Sequence, residues 1–144
     1  MGYSYQGDEK KAAKGLGRHV NVSYKQSSQV CRAIRGMKVE RALNYLDNVQ
    51  EQKEFVEYKR HNKKIPHRKG GTPGRFPKKA SKEIKAVIVN ARANAEFKGM
   101  DTTKLKVEHA AAYKSMVIGR VKPVGRARPS NIELTDIEVV VKEV

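Results

Sequence analysis

Residues 105–144 read LKVEHAAAYKSMVIGRVKPVGRARPSNIELTDIEVVVKEV, and this stretch decides the fold. Apolar and charged residues alternate near both of its ends, which predicts two β-strands, one over 105–118 and one over 132–144. Between Leu134 and Ile137 the alternation slips by one residue. Either a β-bulge or a change of the buried face would produce that slip.

The segment that joins the two strands, GRVKPVGRARP at residues 119–129, has the composition of a hairpin tip. Glycine supplies unusual backbone angles and proline removes a donor from the strand ladder, so strand pairing should fail near this tip. From Lys114 to Pro123 an extended chain makes about nine steps of roughly 3.3 Å each, on the order of 30 Å. A body of 100 residues has a radius of gyration of only about 13 Å. The outer part of the hairpin, residues 108–133, is therefore predicted to protrude.

This predicted arm is positively charged. No acidic residue occurs between Glu108 and Glu133, and the basic residues in that interval are Lys114, Arg120, Lys122, Arg126 and Arg128. Such an arm suits insertion between RNA segments, because each cation can neutralise a phosphate. The alternative is a surface hairpin whose basic residues are incidental. The apolar pieces 110–112 and 116–118 favour the embedded arm, because they are awkward in water.

Three helices are predicted upstream of the hairpin. Ser23 suits the N-cap of the first helix, and Gly36 suits a left-handed cap after its last residue. Apolar residues at three- and four-residue steps predict a second helix that starts near Val39, with a weaker continuation over 50–59. The third helix is predicted over 81–98.

The first residues of the chain carry less pattern. Residues 1–17 are rich in glycine and polar residues, which predicts a lead-in that lies on the surface or is floppy. Residues 19–23 alternate for one short predicted strand.

Residues 56–79, VEYKRHNKKIPHRKGGTPGRFPKK, contain nine Lys and Arg against one acidic residue, with three Pro and three Gly. We expect a basic loop insert that buries no face of its own and that would be disordered in isolation. Its cations should neutralise phosphates, while Gly70, Gly71 and Gly74 let backbone amides approach. The alternative is a solvated loop without a ligand.

The whole chain predicts a polyanionic partner. It has 144 residues, enough for a single domain over 1–144, and its 31 Lys and Arg against 15 Asp and Glu give a net charge of +16. A membrane is the weaker candidate partner, because apolar runs such as 86–89 fall far short of the roughly 20 residues that span a bilayer. No apolar stretch typical of a signal peptide follows the start. Trp is absent and 6% of the residues are aromatic, which favours phosphate contacts over stacked bases.

Several motif-like patterns are not expected to carry chemistry. His61 and His67 lack the cysteine or acidic neighbours of a metal site, so no metal is expected. Residues 70–75 lack the Lys-Ser/Thr ending of a phosphate-binding P-loop. The single cysteine, Cys31, fits a reducing cytosol and a packing role. Nothing assembles an acid, a base and an oxyanion donor, so we expect neither an enzyme nor a cofactor.

The stretch Asn21–Leu46, NVSYKQSSQVCRAIRGMKVERALNYL, resembles the opening helices of the large-subunit ribosomal protein family numbered twenty-two. That family has a Ser-Pro-Arg-Lys-like helix start, then Ile-Arg-Gly, then a Val-Glu-x-Ala-Leu helix. Ser23, Ile34–Gly36 and Val39–Leu43 stand in those places. Further matches, to the end of its third helix, its hairpin tip and its closing strand, lie at Asn94–Glu96, Gly99, Asp101, Gly125–Ala127 and Ile137–Val141. The resemblance covers roughly residues 18–143.

The chain also departs from the bacterial members of that family. Tyr24 and Lys25 replace their Pro-Arg pair, and residues 53–79 are longer, as in the archaeal and eukaryotic branch. The chain stops at Val144 without the tail expected of eukaryotic members, which favours an archaeal type.

The resemblance implies an α+β fold, with three helices packed on a small three-stranded antiparallel sheet and a long protruding β-hairpin. It implies a cytoplasmic protein of the large ribosomal subunit, with its body near the exit of the peptide tunnel and its hairpin threaded through large-subunit rRNA. The tunnel-facing tip would comprise Lys122, Pro123, Val124, Gly125 and Arg126. The implied neighbours are a loop of ribosomal protein four and the nascent polypeptide.

Charge and resemblance together give the residues expected to contact rRNA. They are Arg18, Lys25, Arg35, Lys59, Arg60, Lys63, Lys64, His67, Arg68, Lys69, Arg75, Lys78, Lys79, Lys114, Arg120, Lys122, Arg126 and Arg128. A free nucleic-acid-binding regulator or chromatin protein is the alternative. Such a protein should present basic residues along one exposed helix face or strand ribbon, whereas the densest clusters here lie in loops.

Overall fold

The computed structural model describes residues 3–7, 11–123 and 125–144. Over these residues the chain has an α+β fold, which confirms the predicted class. Its elements are β1 (Ala12–Val20), α1 (Tyr24–Ile34), α2 (Val39–Gln50), β2 (Val56–Glu57), β3 (Gly74–Arg75), α3 (Lys78–Phe97), a short 3-10 helix (Thr102–Lys104), β4 (Leu105–Ile118), β5 (Val121–Lys122), β6 (Arg128–Pro129) and β7 (Ile132–Glu143).

The main sheet is antiparallel and has the strand order β1-β7-β4, so the last strand of the chain lies in the middle. Val141 pairs with Ala13 on one side and with Val107 on the other. The alternate residues Ile137, Val139 and Val141 are fully buried, as are Val30, Leu46 and Ile88 on the helices. The three helices therefore pack on one face of this sheet, and the core lies between them.

The helices follow the predicted pattern, with different ends. Arg35 caps α1 and Gly36 follows it with φ +79°. The predicted continuation of the second helix over 50–59 is wrong, because Gln52 takes a left-handed φ of +65°. The backbone amide of Lys53 then bonds back to Asn48 O at 2.8 Å. The third helix begins at Lys78, three residues earlier than the predicted start at residue 81.

The predicted lead-in over 1–17 and the predicted strand over 19–23 are wrong from residue 12 on, because residues 12–20 form β1 and the chain bends at 21 and 22. Residues 1, 2 and 8–10 of the predicted lead-in lie outside the described residues. Ala12 and Ala13 are fully buried. A Cβ atom added at Gly15 would lie 2.6 Å from the carbonyl oxygen of Val87. The strand therefore lies unusually close to α3, and only small residues fit between the two backbones. Alanine and glycine carry little apolar bulk, so the alternation was not visible in the sequence.

The slip in the alternation of β7 proves to be a change of the buried face. Thr135 is fully buried on the core side, and its hydroxyl donates to Val22 O at 2.7 Å. The extra residues lie on the neighbouring strands, where the register shifts between Gly17 and Val20 and between Lys114 and Val117.

Residues 56–79 are more ordered than predicted. Val56, Tyr58 and Ile65 are buried, so the expectation that this segment buries no face is wrong. The short strands β2 and β3 pair with each other, and the last two residues of the predicted loop, 78 and 79, belong to α3. Val56, Tyr58 and Ile65 thus anchor a strongly basic segment to the core.

Residues 3–7 lie against the face of the sheet that the helices leave uncovered, and Glu138 holds them there. The carboxylate, only 2% exposed, accepts hydrogen bonds from the backbone amide of Ser4 at 3.0 Å and from the Ser4 hydroxyl. His109 Nε2 lies 2.8 Å from it, and the Tyr113 hydroxyl donates at 3.1 Å. Burial raises the pKa of the Glu138 carboxyl, but these hydrogen bonds outweigh burial and leave the pKa below its ordinary value.

We predict that Gly15→Ala lowers the free energy of unfolding by about 1–3 kcal/mol, because the added methyl must push α3 away from β1. Gly119→Ala is the matched control, since a Cβ there meets nothing within 4 Å, and its effect should stay within roughly 0.5 kcal/mol. Urea denaturation followed by circular dichroism measures both. Equal stabilities for the two variants would contradict the close contact.

We also predict that Glu138→Gln destabilises the protein by about 1–3 kcal/mol at pH 7, because it weakens the hydrogen bonds to Ser4, His109 and Tyr113. The pKa of Glu138 is lower in the folded than in the unfolded state, so its stabilisation is complete above about pH 4.3 and is lost as the pH falls through the folded pKa. The difference between wild type and variant should therefore shrink in acid. The exposed Glu108→Gln serves as control, and a pH-independent difference would argue against this role.

Candidate nucleic-acid interface

The predicted cations lie on the surface. Apart from Arg68, which is half-buried, each of them is exposed. The structure divides them among three places. The first place is the arm, with Lys114, Arg120, Lys122, Arg126 and Arg128. The second is the segment that leads into α3 together with the first turn of that helix, with Lys59, Arg60, Lys63, Lys64, His67, Arg68, Lys69, Arg75, Lys78 and Lys79. The third is the end of β1 and the outer side of α1, with Arg18, Lys25 and Arg35.

The arm extends away from the core, because every described residue from 116 to 129 is exposed. The long ladder between β4 and β7 ends at the pair Ile118–Ile132, and two further pairs form between β5 and β6. Strand pairing is thus interrupted near the tip and then resumes for one short step. Among the tip residues, Lys122, Pro123, Gly125 and Arg126 are exposed, whereas Val124 lies outside the described residues.

Lys114, Arg68 and Arg35 also make contacts within the chain. Lys114 Nζ lies 2.9 Å from Glu133 across the arm and holds the pKa of that carboxyl below its usual value. Arg68 Nε donates to Gly74 O at 3.0 Å, and its guanidinium lies 5.0 Å from the ring centroid of Phe76. Arg35 Nε donates to Ala110 O at 2.7 Å. Arg68 therefore stabilises the fold of residues 66–76 as well as adding charge.

The start of α3 adds to the positive surface. Lys78 and Lys79 are exposed in its first turn, which contains no acidic residue. The unpaired amides at a helix N-terminus favour anions, and here the lysine charges act in the same direction.

A cleft between α1 and residues 60–61 brings several polar and basic groups together. It has a volume of about 390 Å³. Its lining residues are Tyr24, Ser28, Gln29, Arg32, Arg35, Arg60 and His61. Gln29 is buried, and its side-chain oxygen accepts from the backbone amides of Lys59 at 3.3 Å and Arg60 at 3.4 Å. This amide side chain fixes the basic segment against the helix.

Arg32 was not among the predicted contacts, yet it lines the cleft together with Arg35. Residues 24, 28, 32 and 35 recur at steps of four, four and three, so they share one face of α1. The opposite face carries Val30 and Ile34, both fully buried. A helical projection of the polar residues would have found Arg32, because the same periodicity that marks the core face marks this one.

A second basic group was also missed. Lys38, Lys104 and Lys106 line a cleft of about 380 Å³ together with Gly36 and Val144. Residues 104 and 106 stand two apart at the start of β4, and Lys38 forms an isolated bridge with Lys106. Lys38 and Lys106 are separated by about seventy residues of sequence. No local sequence pattern could therefore have indicated that they lie together.

Other chemistry has little support in the described parts of the chain. No group of three or more His, Cys, Asp and Glu residues there could hold a metal ion. Cys31 is buried, and burial raises the pKa of its thiol to about 12, which keeps it from acting as a nucleophile near neutral pH. Among the described helices, each is too short or too polar to cross a bilayer.

Residues 16–142 match the family described as ribosomal protein L22p/L17e. The chain is 43% identical over 148 residues to the large ribosomal subunit protein uL22 of Methanococcus aeolicus, a match that covers 99% of this chain and 97% of that protein. It is 44% identical over 142 residues to the uL22 of Methanopyrus kandleri, covering 94% and 89% of the two chains. Against the uL22 of Archaeoglobus fulgidus the identity is 44% over 146 residues, covering 97% and 94%.

Proposed function

The chain belongs to the ribosomal protein L22p/L17e family, in its archaeal type, and from this we propose that it binds large-subunit rRNA through its basic segments and its arm. Members of this family are structural components of the large ribosomal subunit, so the chain is not an enzyme. It acts in the cytoplasm, within that subunit. The charge alone would also allow a free nucleic-acid-binding regulator or chromatin protein. Membership of this family argues against that alternative.

One observation supports the rRNA-binding proposal most strongly: the cations are concentrated on surfaces that take no part in packing the core. The exposed residues of the arm from 114 to 128 include five Lys and Arg, and Glu133 lies at its base. With a net charge of +16, such surfaces repel one another in the isolated protein. Contact with phosphates removes that repulsion and releases counterions, which favours binding.

The arm has a second property that favours an RNA-embedded position. Met116, Val117, Ile118 and Val121 are all exposed, with exposed fractions between 44% and 60%. An isolated two-stranded ribbon is marginally stable in water, and exposed apolar groups along it add to the cost. Packing between rRNA segments and neighbouring large-subunit proteins would cover these side chains. Assembly of the subunit would then order the arm and fix its position.

The finer part of the proposal concerns the tip. Lys122, Pro123, Gly125 and Arg126 are exposed at the far end of the arm. We infer that these residues, with Val124, form part of the wall of the polypeptide exit tunnel. They would lie near a loop of ribosomal protein four and close to the nascent chain. A narrow ribbon with a Gly- and Pro-containing end suits a confined wall, because it presents little bulk.

The proposal predicts a steep salt dependence for the binding of large-subunit rRNA by the purified protein. If about 8 phosphates are neutralised, log K should fall with log salt at a slope on the order of −6 to −7. Filter binding at KCl concentrations from roughly 50 to 200 mM measures this slope. A slope shallower than about −2 would count against phosphate contacts as the main mode.

A deletion tests the arm separately. Removing residues 119–129 should leave the thermal midpoint of the body nearly unchanged, because every described residue in that range is exposed. The shortened protein should still join large subunits, and chemical footprinting should show the loss of rRNA protection along the tunnel. The full-length protein is the control. Unfolding of the deletion variant, or an unchanged footprint, would contradict the position proposed for the arm.

A further inference from the structure

We propose that the cleft between α1 and residues 60–61 binds one unstacked, single-stranded nucleotide of RNA. Its base would lie against the rings of Tyr24 and His61, and its phosphates would contact Arg32, Arg35 and Arg60. The inference rests on the proposed rRNA-binding function and makes it specific, because it assigns one site on the body to a nucleotide instead of to a duplex backbone.

The size of the cleft fits such a ligand. Its volume of about 390 Å³ falls in the lower part of the range of roughly 300–1,000 Å³ that small-molecule sites occupy. A Lys or Arg that only neutralises a backbone phosphate needs no concavity, since phosphates project from the nucleic-acid surface. A recess of this size is therefore more than phosphate contact requires.

Two rings line this recess. The centroids of Tyr24 and His61 lie 6.4 Å apart, and their planes meet at 68°. Rings in an edge-to-face arrangement form a corner, and a flat base can stack on one ring while its edge meets the other. Phe, Trp and Tyr make up only 6% of the whole chain, so the presence of Tyr24 beside a histidine ring at one basic cleft is informative. The low overall aromatic content argued against stacked bases along the chain, but it does not exclude a single such site.

Charge selects an anionic ligand for the cleft. Arg32, Arg35 and Arg60 line it, and none of its described lining residues is acidic. Arg35 uses Nε to donate to Ala110 O at 2.7 Å, which fixes the guanidinium on the sheet. Its two terminal nitrogens keep donors suited to a phosphate. Ser28 donates its hydroxyl to Lys25 O at 3.1 Å and accepts from Gln29 Nε2 at 3.5 Å, so the same oxygen retains one lone pair that can accept from a base edge.

The cleft is organised by contacts that form before any ligand arrives. Gln29, 3% exposed, accepts from the backbone amides of residues 59 and 60 and thereby sets the distance between this segment and α1. His61 follows with a left-handed φ of +55°, a conformation that costs energy for a residue other than glycine. Gln29 is a positioning residue. Its contacts reduce the ordering that binding would otherwise require.

An acidic peptide is the other anion that three arginines could attract. The rings argue against it, because carboxylates need cations but no aromatic corner. RNA bases have flat π faces that stack on such rings. The nucleotide is therefore the ligand that uses all the groups of the cleft.

The test uses the full-length protein and three fluorescent probes: an octamer of adenylate, an octamer of abasic ribose phosphate and an octamer of glutamate. Tyr24→Ala should weaken binding of the adenylate octamer about ten-fold or more, since stacking on one aromatic ring is lost. The same variant should bind the abasic octamer as the wild type does. Tyr24→Phe should retain binding, which separates loss of the ring from loss of the fold.

Arginine variants provide a matched pair of equal charge. Arg32→Ala removes a cation from the cleft, whereas Arg41→Ala removes an exposed cation from α2 outside it. Arg32→Ala should weaken binding of both ribose-phosphate octamers several-fold more than Arg41→Ala does. Photo-crosslinking of a 4-thiouridine octamer should map to peptides that contain residues 24 and 61.

Each contrary result has a distinct meaning. Equal losses for Tyr24→Ala on the adenylate and abasic octamers would overturn the base-stacking site. Equal effects of Arg32→Ala and Arg41→Ala would also overturn it. The same holds if the glutamate octamer binds more tightly than the adenylate octamer and Arg32→Ala weakens that binding. In those cases wild-type binding of large-subunit rRNA would still stand. Failure of the wild-type protein to bind that rRNA would instead overturn the proposed function itself.

Discussion

The pairing of β7 with strands on both of its edges is the constraint on which the rest of the structure depends. The strand comes last in the chain, and yet β1 and β4 both hydrogen-bond to it. Its core face, with Ile137, Val139 and Val141, supports the three helices, and Glu138 on its other face holds residues 3–7. In an antiparallel sheet that packs against helices on one face, the other face is either exposed to solvent or covered by another part of the chain. Here a short polar strap covers part of it, fixed to one buried carboxylate.

This arrangement separates the cations from the core. The net charge of +16 would oppose folding if it were spread through the packed layers. The structure instead places the basic residues on the arm, on the segment before α3 and on the outer face of α1, where the described residues are mostly exposed. Val56, Tyr58 and Ile65 anchor the basic segment without placing a cation in the core. Folding and the proposed RNA binding thus depend on different side chains of the same segments.

The sequence allowed prediction of those elements whose side chains carry strong periodic signals. The helices α1, α2 and α3 and the strands β4 and β7 have bulky apolar residues at regular steps, and all five lie close to their predicted positions. β1 was missed because Ala13 and Gly15 are small for a packing reason, the close approach of α3. Most of the candidate rRNA contacts could be predicted because net charge is a property of composition. The cleft could not be predicted, since it depends on the long-range contact between Gln29 and the backbone of residues 59 and 60.

The cleft and the arm differ in how much order they have before RNA is present, and this difference bears on assembly. The cleft is built from a helix and a segment that the core holds in place, so its geometry is available in the free protein. The arm consists of two paired strands. Lys114 and Glu133 form an exposed cross-strand ion pair, and every described residue from 116 to 129 is exposed, so packing does little to oppose fraying of this ribbon. If the cleft binds RNA as proposed, this preformed site on the body would engage RNA first and keep the arm close to its binding region. The arm would then bind at a high effective concentration, which would offset the entropy lost when it becomes ordered.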